Sequence, residues 1–200
     1  MRAADGDPFS FRAFSLDATV FVHRGERYMV WAEKVGVGKQ ISNLYIARMA
    51  SPAKLATVQV LLTTPDYGWE RGDFWVNEGP AVLQRDGKVF LTFSANTTGE
   101  LYCMGMLWAE EGADLLDPAN WTKLRRPVLQ SDDAKEMHGP GHNCFVKDED
   151  GVTDLCVFHA RQYDKMEGNP LYDPNRHVYL MPLTYDGDGF PQFRYAPQEW

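Results

Sequence analysis

Cysteine is scarce in this sequence, with three in 200 residues, and Cys103, Cys144 and Cys156 show no metal-ligand spacing. An odd number so spaced excludes a disulfide-stapled scaffold and a zinc ribbon. Each cysteine lies in an apolar run, so the expectation is buried free thiols in a reducing compartment. Basic clusters are also lacking. The net charge is −8, and Arg125-Arg126 is the only adjacent basic pair. Binding to a phosphate backbone needs a basic stripe, so no nucleic-acid partner is expected. No apolar run approaches the ~20 residues that span a bilayer, so no membrane partner is expected either. The stretch from Met1 to Asp7 has no apolar h-region and is not read as a secretory signal. Linkers and low-complexity tracts are missing too, so residues 1–200 are read as one domain.

Aromatic residues are plentiful. Six Trp, nine Tyr and eleven Phe make up 13% of the chain. Such rings suit pleated surfaces, and their flat faces suit sugars.

A strand pattern recurs three times. The first copy runs DATVFVH (17–23), a turn at Arg24-Gly25-Glu26, YMVWA (28–32), a glycine-rich loop and NLYIARM (43–49). The second runs EGPAVL (78–83), a turn at Asp86-Gly87, VFLTFSA (89–95) and LYCMGML (101–107). The third runs HNCFV (142–146), a turn at Asp150-Gly151, DLCVFHA (154–160) and HVYLMPL (177–183). Asp-Gly is a strong hairpin signal because the tight turn needs positive φ. Copies starting at 17, 78 and 142 are 61 and 64 residues apart. That period fits propeller blades of antiparallel strands, and the fold class is all-β propeller. Fourth, outer strands are expected at 58–62 and near 121–124, and a helical turn within 113–120. Three blades do not close a ring, since propellers use about four to eight. Further blades must come from elsewhere in the protein or from a second copy, and two copies of three would make six.

A polar residue opens the first strand of each copy: Asp17, Glu78 and His142. First strands line a propeller's axis, so the three converge. Two carboxylates there suit glycosidic-bond cleavage, which needs an acid and a base or nucleophile. A carboxyl crowded by another has its pKa raised, as a general acid requires. Each residue also has a plainer reading: Asp17 as a strand-edge aspartate, Glu78 as a solvated loop residue, His142 as a core histidine. Trp69 and Trp75 precede Glu78 and are candidate sugar platforms, though packing at a rim would explain each equally well. Arg176 opens the last strand and offers a fixed donor fork for sugar hydroxyls, or else a surface salt bridge. His138 and His159 read as structural, and Trp31 as core.

The stretches SLDATVFVH (15–23), WVNEGPAVL (75–83), HGPGHNCF (138–145) and YDGDGFPQF (185–193) together carry a resemblance. The chain resembles glycoside hydrolase family 43, especially its α-L-arabinofuranosidase-like members. The resemblance implies a five-bladed propeller lacking two amino-terminal blades here. It implies inverting hydrolysis of arabinofuranosyl, and after those xylosyl, linkages in plant polysaccharides. Glu78 matches the general acid, and Asp17 the aspartate that orients it and raises its pKa. His142 matches a histidine that helps hold a hydrated calcium ion. The water-activating base matches nothing on this chain, because Asp7-Pro8 sits too close to Asp17 to belong to a first blade. A non-catalytic sugar-binding chain, completed by a partner chain, is the alternative. An interaction propeller is disfavoured by the absence of a Gly-His…Trp-Asp repeat.

Overall fold

The structure, a computed structural model, describes residues 1–36 and 41–196. Most of the glycine-rich loop expected between the second and third strands therefore lies outside the described residues. The first blade is β1 (Ser15–His23), β2 (Glu26–Val35) and β3 (Ile41–Ser51). A short hook, β4 (Lys54–Leu55), and the outer strand β5 (Val60–Thr63) both pair with β3. The second blade is β6 (Trp75–Arg85), β7 (Lys88–Ala95), β8 (Cys103–Glu110) and the outer strand β9 (Thr122–Lys123). The third is β10 (His138–Lys147), β11 (Asp154–Arg161) and β12 (His177–Pro182), followed by the small hairpin of β13 (Thr184–Tyr185) and β14 (Pro191–Gln192). All pairings within blades are antiparallel. A two-residue parallel contact, Ile41 with Trp75 and Ser42 with Val76, joins the first blade to the second. Both expected outer strands are present, and the helical turn is a single 3-10 turn at Pro118–Asn120.

Two of the three expected hairpins have two-residue loops. Arg24 and Gly25, with φ of 49° and 83°, and Asp86 and Gly87, with 49° and 77°, are both left-handed pairs. That geometry matches the right-handed twist of the flanking strands. The third hairpin differs. Its loop spans residues 148–153, and the Asp150 carboxylate accepts from the Val152 and Thr153 amides at 2.8 Å each. Only Gly151 of that Asp-Gly pair is left-handed.

The blades stack face to face. Val30, Ala32, Leu44 and Ile46 of the first pack against Val89, Leu91, Phe93 and Leu107 of the second. The second blade's other face places Phe90, Met104 and Met106 against Cys156, Phe158, Ala160 and Met181 of the third. Every residue of β7 after Lys88 is buried, as expected for a strand covered on both sides. Full burial of each large apolar side chain contributes about 1.5–3 kcal/mol. The third blade is covered on one face only. Its other face carries Cys144 and Val146, with Val157 and Leu180 beside them in register. This explains why Cys144 is exposed, against the expectation of three buried thiols, while Cys103 and Cys156 are buried.

Candidate active site

The three first strands share an irregularity. β1 breaks register between Leu16 and Thr19, β6 between Glu78 and Ala81, and β10 between Gly141 and Cys144. Each break is a β-bulge, which bends a strand and re-aims a side chain. The residue after each break begins is left-handed: Asp17 (φ 53°), Gly79 (54°) and His142 (49°). The structural counterparts are thus Asp17, Gly79 and His142, and Glu78 stands one residue before the repeat position. The offset matters, since Gly79 takes the strained backbone and frees Glu78 to remain an ordinary strand residue.

The bulges bring the three predicted residues together. Asp17, Glu78 and His142 each offer a donor atom, all within 4.8 Å of one another. Asp17 Oδ2 accepts from the Gly79 amide at 3.1 Å, and Asp17 Oδ1 lies 3.9 Å from His142 Nε2. The side chain of Asp17 is largely covered, whereas that of His142 is about half exposed, at 17% and 48%. Burial pushes the Glu78 carboxyl above the ordinary carboxylate range; a hydrogen bond from Tyr102 opposes that, and the charge of Asp17 adds to it. The site therefore holds a carboxyl biased toward its protonated form, next to a second carboxylate.

The backbone carrying Glu78 is clamped from the adjoining residue. Buried Asn77 donates to Glu70 Oε1 at 2.9 Å, and its carbonyl accepts from Ser42 Oγ at 3.1 Å. Glu70 is itself buried and paired with Lys123. Tyr102, which is fully buried, donates from its hydroxyl to Glu78 Oε1 at 2.8 Å. Ser94 Oγ accepts from the His142 amide at 2.6 Å. Sequence reasoning missed Asn77, Ser94 and Tyr102. Serine and tyrosine within apolar strands look like ordinary packing, and only the position of Ser94 directly opposite Glu78 in the ladder hinted at contact.

The remaining candidates lie elsewhere. The Trp69 ring stacks on Phe93 and Tyr67, and its indole N–H donates to the Arg125 carbonyl. Gly105 makes room for it, since a Cβ there would fall 2.7 Å from the indole Cη2. Trp69 is thus a packing residue beside the first interblade core, not a sugar platform by the carboxylates. Trp75 lies under the Arg71 guanidinium, 4.4 Å from its ring. Strand alternation places Trp75 on the face of Asn77, opposite to Glu78. Arg176 is half-buried and bonds the Leu171 carbonyl at 3.4 Å. Its charge acts on His159, whose pKa burial lowers to about 4, with Arg176, His142 and Arg161 adding to the shift. His159 is therefore neutral and stacks flat on Tyr102, with centroids 5.7 Å apart and planes at 3°. His138 is buried near Asp133, at 3.7 Å. The Asp7 carboxylate is occupied in a turn with Phe9 and Ser10. A hollow of about 550 Å³ lined by Tyr163, Tyr172 and Asn175 lies along the 162–176 loop and contains none of the three clustered residues.

A paired-carboxylate cluster thus sits on the bulged first strands of stacked antiparallel blades, the architecture of the β-propeller class. The family follows from comparison: residues 5–191 match the model for glycosyl hydrolases family 43, and the chain belongs to that family. It is 45% identical over 181 residues to an extracellular exo-α-(1→5)-L-arabinofuranosidase of Streptomyces avermitilis, which covers 90% of this chain and 38% of that protein. The same figures hold for α-L-arabinofuranosidase 43 of Humicola insolens. The crystal structure of an α-L-arabinofuranosidase from Lactobacillus brevis superposes with a TM-score of 0.91 at 50% identity, over 97% of this chain and 59% of that one. The chain thus spans well under half the length of these curated relatives. Its three blades are a partial set of the five-bladed propeller of the family.

Proposed function

We propose that this chain carries the acid side of an inverting glycoside hydrolase site that cleaves arabinofuranosyl linkages, and secondarily xylosyl ones, in plant oligo- and polysaccharides. The observation that carries this reading is the Glu78 carboxyl, biased toward its protonated form beside Asp17. Glu78 gives its proton to the glycosidic oxygen as the C–O bond breaks, and the bonding electron pair leaves with that oxygen. Asp17, held by the Gly79 amide, orients the acid and keeps its proton affinity high. A further carboxylate, outside the trio of Asp17, Glu78 and His142, activates the water that attacks from the opposite face. The arabinofuranosyl preference is supported by the names of the relatives. In the same reading Arg176, whose charge acts on His159, bonds sugar hydroxyls at the rim with its donor fork.

A hydrated calcium ion near His142 belongs to the same reading. Calcium takes six to eight oxygen ligands, and the trio offers two carboxylates and one imidazole nitrogen. The residues fit an ion that keeps most of its water, with His142 and Asp17 meeting that shell. Such an ion supplies positive charge where negative charge develops. A chelator is expected to lower turnover and melting temperature together.

Turnover tests the main reading. Glu78→Gln should reduce kcat on unactivated arabino-oligosaccharides by about 10²–10⁴-fold, the usual contribution of a general acid. The loss should be much smaller on a nitrophenyl arabinofuranoside, whose leaving group needs no proton. Equal turnover by both proteins on the unactivated substrate would sink the role.

A second reading is favoured by the uncovered face of Cys144, Val146, Val157 and Leu180. Here the chain binds arabinose-type ligands without turnover until a partner chain completes the ring, since uncovered apolar faces and strand edges invite pairing. Light scattering separates the two, because this reading requires a defined oligomer and a monomer with turnover excludes it.

A further inference from the structure

The loop of residues 162–176 leaves the third blade at the end where the carboxylate cluster stands. Arg161, the residue before it, pairs with His138 at the start of β10. His159 in the same strand lies 6.4 Å, ring to ring, from His142. Arg161 is fully buried and ties the loop down. Its Nη1 donates to the Thr98 carbonyl of the second blade at 3.1 Å, and its Nη2 to the Pro170 carbonyl at 2.8 Å. Its Nε lies 3.3 Å from Asp173 Oδ2. The two Asp173 oxygens also accept from the Tyr163 hydroxyl at 2.8 and 2.7 Å, and Oδ1 accepts from the Asn175 amide at 2.8 Å. A buried cation is costly unless paired and bonded, and this one is spent on a surface loop. Within the loop, each residue of the 3-10 turn Pro170–Tyr172 has a fixed backbone bond. Arg161 holds the Pro170 carbonyl, Arg176 the Leu171 carbonyl at 3.4 Å, and the Tyr172 amide donates to the Asn169 carbonyl at 3.0 Å. The side chain of Tyr172 is the opposite. The residue is 79% exposed, and among the described residues its ring stacks on no other ring and its hydroxyl has no hydrogen-bond partner. It borders the hollow of about 550 Å³, whose wall also carries Tyr163, Asp173 and Asn175.

We propose that this hollow is a subsite for a sugar of the substrate chain remote from the cleaved linkage, with Tyr172 as its stacking platform and Asn175 as its hydrogen-bonding wall. The proposal rests on the hydrolase reading above and gives the substrate a direction, out of the cluster past His159 and Arg176 and over the third blade. A tyrosine ring has a flat apolar face and a hydroxyl tip, and a sugar offers the matching pair, a C–H face and a hydroxyl edge. A fixed backbone under an unpartnered ring lowers the ordering cost of binding, since only two χ angles remain to settle. Asn175 Nδ2 donates to the Tyr163 oxygen at 2.9 Å, which fixes the amide, and its Oδ1 has no partner among the described residues. That oxygen accepts from a sugar hydroxyl. Lys165 stands on the same wall as Glu167 and Asp173, and a wall of mixed sign suits a neutral ligand better than a phosphate.

Substrate length tests it. A nitrophenyl arabinofuranoside is one sugar long and does not reach the hollow, whereas a long α-(1→5)-linked arabino-oligosaccharide does. In Tyr172→Ala the ratio of kcat/KM on the oligosaccharide to that on the aryl glycoside is expected to fall about 10-fold, through KM, the scale of one aromatic contact. Tyr172→Phe keeps the ring and should keep most of the ratio. An unchanged ratio in Tyr172→Ala overturns the proposal. A second measurement needs no turnover. The oligosaccharide is titrated into Glu78→Gln, which spares the ligand, and the tyrosine ring signals are followed by NMR. The Tyr172 signals, assigned by their loss when Tyr172→Ala is added, should shift. Signals that stay in place overturn the proposal whether or not the wild-type chain turns substrate over. Shifted signals in a chain without turnover leave the subsite standing and count against the hydrolase reading alone. Turnover with an unchanged ratio and unmoved signals sinks the subsite alone.

Discussion

The first strands of the first two blades each carry left-handed residues at both ends, and the two ends use them differently. At the hairpin end, Arg24-Gly25 and Asp86-Gly87 reverse the chain. Nothing lies within 4 Å of where a Cβ would sit on Gly25 or Gly87. At the other end, Asp17 and Gly79 bend the chain within a packed bulge, and a Cβ on Gly79 would fall 3.3 Å from the His142 ring. All of these residues have φ in the left-handed region. At the turn they serve topology and face solvent; at the bulge they aim a carboxylate, an amide and a second carboxylate at one point. Strain kept where neighbours crowd it is the kind associated with function.

Among changes to the left-handed residues themselves, the largest effect should come from Asp17, whose conformation the bulge explains. Asp17→Asn keeps an acceptor for the Gly79 amide and removes the charge. It should lower turnover on unactivated substrate by roughly 100-fold, within the range for a group that assists a general acid. Asp17 raises the pKa of Glu78, so its neutralisation should also move the alkaline limb of the pH profile to lower pH. A limb that stays in place would mean that Asp17 only holds the backbone, and the two ends of the strand would then be alike.

Next is Gly141, packed against Tyr102 and Ser94. Gly141→Ala places a methyl group against Tyr102 and Ser94, both fully buried. Overpacking of this kind costs about 1–3 kcal/mol, and calorimetry should show it as a lower melting temperature. The paired glycines sharpen the contrast. Gly87→Ala has room and should cost about 1 kcal/mol for the left-handed backbone alone. Gly79→Ala meets the same backbone cost plus crowding by His142 and Ser94, so it should lose more, and turnover with it. Equal losses at the two positions would show that the bulge is no tighter than the turn.

The same contrast explains what the sequence disclosed. Blade order, outer strands and the first two hairpins were legible, because alternation and Arg-Gly or Asp-Gly turns are local signals. The trio was legible because three polar residues open three apolar strands. The one-residue offset at Glu78 was not, since a bulge adds a residue without marking it in the alternation. Ser94, Tyr102 and Asn77 were hidden because their partners come from other strands and, for Ser94, from another blade's backbone. Trp69 misled because an aromatic near a site looks like a platform, while the notch at Gly105 that seats it lies 36 positions away in the chain. The third Asp-Gly misled because Asp150 used its side chain to build a longer loop.

The smallest effect separates the ends in stability alone. A carboxyl whose folded pKa lies above its unfolded value binds its proton more tightly in the folded state. Its favourable contribution is complete below the ordinary carboxylate range and is lost as pH rises through the raised folded value. Glu78 is such a group. Gln at position 78 keeps an oxygen to accept from Tyr102 and carries no charge to desolvate. Glu78→Gln should therefore melt higher than the wild type at neutral pH, by a few degrees at most, and the gain should vanish on acidification below pH ~4, where Glu78 is protonated in both states. An exposed carboxylate at the turn end, Asp86, pairs with neighbouring Arg85 in solvent, and Asp86→Asn should show no such gain. If Glu78→Gln melts lower at neutral pH, the ionised carboxylate stabilises the bulge, and the site is not held at a cost to the fold.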